Sequence, residues 1–379
     1  MSISTDYNIV VVGMGYIGSK HLLPGYQMLL GDKVATNVFG VKATDRGIDE
    51  LRSRLPFAVS VNNTAELLRQ TTPDIVIMCP SPKQIPIIVQ EILLPYFNEA
   101  REKGISLPDI YTFGPSPDPK FYYDLLGNDI NCVKFLPSMA EPFKGIPLQK
   151  RGGSFLSFVP DHPFPEDRRQ RAIDFSNMFG LTFLVSHEMS LVGLSAKNTA
   201  HTCYEICYAV SDVMAERGYE VSTSQVGSAM RAAFRKHLGL EGEGLYPSSL
   251  QDVPEEIRGF IEKLSIYWFE GILKYIISTG CEPDLARNFH GANFETWNLT
   301  IQLATREELE ISTKNHATKG GVNEKAIEVF MNYFDNQLRE AIRNHLDNIL
   351  PVSFFDTAEG VAFAINLTVN RHAHRLANK

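Results

Sequence analysis

Three glycines, Gly13, Gly15 and Gly18, stand in G-x-G-x-x-G spacing directly after the apolar run NIVVV and before the helical pattern IGSKHLL. That order suits the cradling of a phosphate. Gly13 permits a tight turn, Gly15 lets the backbone approach a pyrophosphate, Gly18 lets the helix pack closely, and the anion rests at the helix N-terminus. With Tyr16 and Ile17 completing the loop, the segment predicts a nicotinamide-dinucleotide site. The alternative is a strand, turn and helix that hold no ligand.

The second strand runs into VKATDRG, where the two forms of the cofactor make opposite demands. Lys42, Thr44 and Arg46 suit the 2′-phosphate of NADPH, whereas Asp45 suits the bare ribose hydroxyl of NADH. NADPH is the expected cofactor, with NADH as the alternative, and Arg46 as a merely solvated loop charge stays open.

Reduction of a C=N or C=O bond needs a held hydride donor and, for a ketone, a proton donor. Lys197 and His201, four residues apart, are expected to share one helix face and address a cleft, each lowering the other's pKa. The alternatives are a solvated lysine at a helix start and a core histidine. Cys203 and Cys207 repeat the four-residue spacing, but no fourth ligand accompanies them, so no metal is expected. His290, Asn293 and Trp297 either line a pocket or sit on a surface loop.

The elements that position these residues change character along the chain. Short β-branched runs are read as strands at Asn8–Val12, Asn37–Lys42, Asp74–Met78, Asp109–Phe113 and Cys132–Leu136, with SFLSFVP and LTFLVSH as two more. Helical patterns such as TAELLRQTT lie between them. After about residue 190 helical periodicity takes over, and HLGLEGEGLYPSSLQDVPEE reads as a connector. The expectation is an α/β Rossmann domain over 1–189, a mostly parallel doubly wound sheet, followed by an all-α dimerisation domain over 190–379.

Bulk properties narrow the functional class. A chain of 379 residues has room for two domains and a cleft. A net charge of −8 argues against a broad basic surface for nucleic acid or anionic membrane. Five scattered cysteines, a start without a leader pattern and no long apolar run suggest a soluble, cytoplasmic protein with free thiols.

Four stretches resemble the pyrroline-5-carboxylate reductase family, within the 6-phosphogluconate-dehydrogenase-like superfamily. GMGYIG is similar to its nucleotide loop, TDRG to its phosphate-contacting turn, and VKFLPSMAEP to its strand followed by Met-Pro-Asn-x-Pro. ATKGGVNEKAIEVF resembles its C-terminal signature. The resemblance implies a homodimer joined through the helical half, and a substrate carboxylate held by Thr318, Gly320, Gly321, Val322 and Asn323. It also implies that Ser81 and Pro82 flank the nicotinamide and that residues 236–305 are an insertion.

Three positions depart from the pattern. Asn323 replaces a threonine, Ser81 replaces a lysine, and Lys197 stands in a segment that is otherwise small and glycine-rich in the family. Gly193, Lys197 and His201 also look like the glycine, lysine and asparagine of β-hydroxyacid dehydrogenases, in which the lysine is the general acid. The expected function is therefore NADPH-dependent reduction of a carboxylate-bearing imine, with Lys197, His201 and Asn323 as candidate catalytic residues. An oxo-acid reductase using Lys197, or a nucleotide-binding protein without catalysis, are the alternatives.

Overall fold

The computed structural model describes residues 7–138, 152–162, 164–197, 199–240, 246–317 and 319–378. Its first part is one sheet of eight strands in the order β3-β2-β1-β4-β5-β6-β7-β8. The strands are β1 (Ile9–Val12), β2 (Val38–Lys42), β3 (Ala58–Val61), β4 (Ile75–Met78), β5 (Asp109–Thr112), β6 (Asn131–Leu136), β7 (Gly153–Phe158) and β8 (Leu181–Leu184). The first six are parallel, β7 runs antiparallel to β6, and β8 is parallel to β7.

Helices α1 (Leu23–Leu30), α2 (Val34–Asn37), α3 (Ile48–Arg54), α4 (Thr64–Thr71), α5 (Ile85–Ile88), α6 (Leu94–Glu102), α7 (Pro119–Leu126) and α8 (Glu166–Asn177) connect the strands. Both sheet faces are apolar because both are covered. Val10, Val12, Val76, Met78 and Ile110 pack under Leu68, Phe97 and Tyr122 on one face. Ile9, Val11, Ile77, Tyr111 and Phe135 pack on the other with Tyr26, Phe175 and Phe179, in a core that continues into the helical part. Asp109 is fully buried, and Arg168 and Arg171 of α8 close on it at 3.0 and 2.5 Å. Those ion pairs tie α8 to the amino end of β5, so neither charge is left alone in the interior.

The second part holds α9 (Ser190–Lys197), α10 (Ala200–Glu216), α11 (Thr223–His237), α12 (Glu255–Ser278), α13 (Pro283–Leu303), α14 (Arg306–His316), α15 (Val322–Tyr333), α16 (Asp335–Leu346) and α17 (Phe354–Ala377). The fold is thus an α/β unit with a mostly parallel sheet, followed by helices. Gly271 of α12 allows α17 to approach closely, since a Cβ there would lie 2.3 Å from the Glu359 carbonyl oxygen. Among the described residues no helix is long and apolar enough to cross a membrane.

Two features differ from the sequence reading. β3 was not anticipated, because AVSV is only four residues long and its side chains alternate weakly in burial. The tract from Cys281 to Asn298 is not a surface loop. It is mostly α13, with His290, Asn293 and Trp297 all buried, and His290 stacked on Phe269 at 4.4 Å. The helical pattern there was masked by its polar residues, which turn inward; Glu295, for example, pairs with the buried Arg231 at 2.8 Å.

Candidate active site

β1 is fully buried and delivers the chain to Gly13 at the carboxyl edge of the sheet. Gly13 has φ 92°, and a Cβ on it would stand 2.6 Å from the Cys79 carbonyl carbon and the Pro80 nitrogen. A Cβ on Gly18 would meet the Gly13 carbonyl oxygen at 2.7 Å. Both positions therefore require glycine. Gly15 is different, because nothing lies within 4 Å of its added Cβ. Backbone there faces open space, as an approaching phosphate needs.

From Tyr16 onward the chain is right-handed helical, with a π turn over Ile17–His21 leading into α1. The first turn of such a segment leaves amide donors without intrahelical acceptors, which favours an anion. Beside the loop lies a cavity of about 220 Å³ lined by Gly13, Val41, Ala43, Asn62, Pro80 and Gln84, among others. β1 here has β2 on one side and β4 on the other, and the chain changes direction between them. Such a switch point is where open α/β sheets bind ligands. The cradle and its cavity fit a dinucleotide.

The turn after β2 leaves Thr44, Asp45 and Arg46 exposed. Lys42 donates from Nζ to the Arg46 carbonyl at 2.6 Å, which pins the turn. Ser81 and Pro82 are exposed, and the Ser81 hydroxyl donates to Gln84 Oε1 at 3.1 Å. Pro80 and Gln84 line the cavity instead, as do Asn62 and Thr64 beyond the unanticipated β3.

Across the carboxyl end of β6, Lys197 is buried and donates from Nζ to the carbonyls of Pro137 at 2.6 Å and Gly153 at 2.5 Å. Burial pushes its amine well below the usual lysine range. The amine has hydrogens enough for both carbonyls in either protonation state. His21 grips the adjoining residue, donating from Nε2 to the Ser138 carbonyl at 2.7 Å.

Lys197 and His201 do not share a helix. α9 ends at Lys197 and α10 begins at Ala200, with Thr199 between helices at φ −88° and ψ 1°. The expected coupling between them is therefore absent: burial, and then the charge of His316, push His201 down to about 3.

His316, which closes α14, is half-buried and joins the two parts of the chain. Its ring lies 4.9 Å edge-on from Tyr16, 5.8 Å from His201 and 6.5 Å from His21. Ser312 Oγ lies 3.3 Å from its Nδ1, and Asn323 donates from Nδ2 to its carbonyl at 3.1 Å. The structure thus gathers Tyr16, His21, His201, His316 and Asn323 beside the glycine loop. Sequence reasoning missed His21 and His316. One signal was available for each: His21 stands one helical turn beyond Gly18, and His316 comes just before the ATKGG segment.

The ATKGG segment divides. Thr318 lies outside the described residues. The Gly320 amide donates to Glu324 Oε2 at 2.6 Å, and the Gly320 carbonyl accepts from His372 at 2.9 Å. A carboxylate of the chain itself therefore occupies the donor that the sequence reading offered to a substrate. Gly320 and Gly321 line a separate cavity of about 330 Å³ with Lys325, His372 and Arg375. Val322 begins α15 and packs against the core.

Cys203 and Cys207 are buried, and Cys207 Sγ donates to Met230 Sδ at 3.6 Å. Among the described residues no group of three or more histidine, cysteine or acidic side chains is arranged to hold a metal.

No family model and no curated protein sequence matches the chain. Solved structures do. A pyrroline carboxylate reductase from Plasmodium falciparum with NADP bound is 11% identical, over 94% of this chain and 99% of that one, at a TM-score of 0.37. The pyrroline-5-carboxylate reductase of Coxiella burnetii is 14% identical over 94% and 98%, at 0.39. Prephenate dehydrogenase from A. aeolicus, in complex with hydroxyphenyl propionate and NAD+, is 12% identical over 92% and 100%, at 0.38.

Proposed function

We propose that the chain is an NADPH-dependent oxidoreductase that reduces the C=N bond of a carboxylate-bearing imine. One observation carries this reading: a glycine cradle open at Gly15 stands beside polar rings from the helical half, His316 in contact with Tyr16 of the cradle itself and His201 in contact with His316. A bound reduced nicotinamide would supply the hydride. Gly13, Gly15, Tyr16, Ile17 and Gly18 would hold its pyrophosphate, and Thr44 and Arg46, on a turn pinned by Lys42, would meet its 2′-phosphate. NADH is the alternative through Asp45. Pro80 lines the cavity, and Ser81 and Pro82, which follow it in the chain, are exposed and would flank the nicotinamide.

For an imine the site has mainly to position substrate, because a protonated C=N already attracts hydride. Asn323 can donate or accept toward it. Thr318, Gly321 and Val322 remain the proposed carboxylate end. A second reading, reduction of an oxo acid, is favoured by His316 at the cradle, a residue type that can give the proton that a ketone requires.

Exposed Ile311, Met331, Tyr333, Ile349 and Val352 supply apolar surface in the helical part for pairing with a second copy. The test is oxidation of NADPH against cyclic imino acids and oxo acids. Imine-dependent oxidation supports the first reading, and turnover of oxo acids alone supports the second.

A further inference from the structure

We infer, on the oxidoreductase reading above, that His316 is the residue that gives a proton to the substrate's heteroatom, with His201 as a positioning residue behind it. Reduction of C=N or C=O needs one proton for each hydride. An imine nitrogen takes the proton from the His316 ring on its lone pair, and the carbon of the resulting iminium then gains the hydride from a reduced nicotinamide as the π pair moves onto nitrogen; a carbonyl oxygen takes the proton as the hydride arrives and the π pair moves onto it. The N–H bonding pair stays on the imidazole, and the ring takes up a new proton before the next turnover.

Three observations place His316 in this role ahead of Lys197. The Lys197 amine is turned onto the Pro137 and Gly153 carbonyls, where it ties β6 to β7. His316 stands at the cradle, its ring against Tyr16 and its Nε2 shielded from bulk solvent. Its position is also held at three points: Ser312 at Nδ1, Asn323 at its carbonyl, and Tyr16 at its edge.

The two histidines stand in opposite electrostatic settings. His316 is the last residue of α14, where the carbonyl end of a helix carries partial negative charge and favours a cation. His201 is the second residue of α10, beside partial positive charge, and is buried. The end of α14 thus favours a cation at His316, while burial holds His201 below the usual histidine range. Among the described residues the other titratable groups facing the pair are Tyr16, with Lys20 Nζ 5.4 Å over its ring, His21, and Tyr204, whose ring lies 5.2 Å from that of His201.

The test combines calorimetric titration of NADPH with histidine-selective NMR on the full chain and on His316→Phe, His316→Ala and His201→Gln. NADPH binding should shift the ring resonance that disappears in His316→Phe. His316→Phe, which keeps a ring against Tyr16, should bind NADPH within about threefold of wild type yet lose at least ~100-fold in kcat with any acceptor the wild type reduces. A purely structural role would instead leave His316→Phe active and damage nucleotide binding in His316→Ala alone. In His201→Gln the titration midpoint of His316 should move. Nucleotide binding with an unmoved His316 resonance, or an active His316→Phe, overturns the inference alone. Absence of nucleotide binding overturns the oxidoreductase reading on which it rests.

Discussion

The ring of His316, at the end of α14, meets the ring of Tyr16, inside the glycine loop, edge-on at 4.9 Å. Through this contact the helical part touches the cradle where a pyrophosphate would lie. Tyr16→Ala removes it and should raise the dissociation constant for NADPH by up to ~10-fold, since such ring pairs contribute about 0.5–1.5 kcal/mol. Tyr16→Phe should bind like wild type. Calorimetry on the two variants separates the ring contact from the hydroxyl.

Gly13 and Gly15 should fail differently. At Gly13 a side chain meets backbone at 2.6 Å and φ is 92°, so Gly13→Ala should lose at least ~1–3 kcal/mol of stability in denaturant unfolding. At Gly15 a side chain meets nothing within 4 Å, so Gly15→Val should unfold within about 1 kcal/mol of wild type. Its nucleotide binding should nevertheless be lost, because the added bulk fills the place of the phosphate.

Lys197 makes stability depend on alkaline pH. Its amine lies well below its unfolded value, so between the folded and unfolded values the unfolded chain binds more protons. Stability is then greatest above the unfolded value of about 10.4 and falls as pH drops toward the folded one. Lys197→Met should flatten that slope in unfolding measured across this window. It should also cost roughly 2–4 kcal/mol at high pH, by leaving two carbonyls without their donor.

His201 and His290 act in the same sense at acid pH. Burial pushes each from 6.5 down to about 3, so both contribute stability that is lost as pH falls from about 6.5 toward 3. His290→Phe, which keeps a ring against Phe269, should unfold at lower pH than wild type, by an amount worth at least ~1 kcal/mol at pH 4. An unchanged acid midpoint would contradict the burial argument for this residue.

Much of the sheet was legible because its strands are short apolar runs divided by turn residues. β1, β2, β4, β5 and β6 fall within a residue or so of the positions read from sequence. The glycine loop was legible for a related reason, since close backbone approach admits no other residue at Gly13 or Gly18. The helical side of the site was not. Spacing places Lys197 and His201 on one face only if the helix continues, and it breaks at Thr199. His316 meets His201 across 115 positions of sequence, through packing of α14 and α10 onto the loop, and no local pattern encodes that contact. The Gly320 amide is likewise taken by Glu324, one turn ahead, a side-chain contact that the spacing of the glycine pair does not encode.

The most direct test of the account is calorimetric titration of wild type and Gly15→Val with NADPH and NADH. Saturable binding of NADPH by wild type, at least ~10-fold tighter than NADH and abolished in a folded Gly15→Val, is the predicted result. Wild type that binds neither nucleotide, or Gly15→Val that binds as tightly as wild type, would contradict the cradle at Gly13–Gly18.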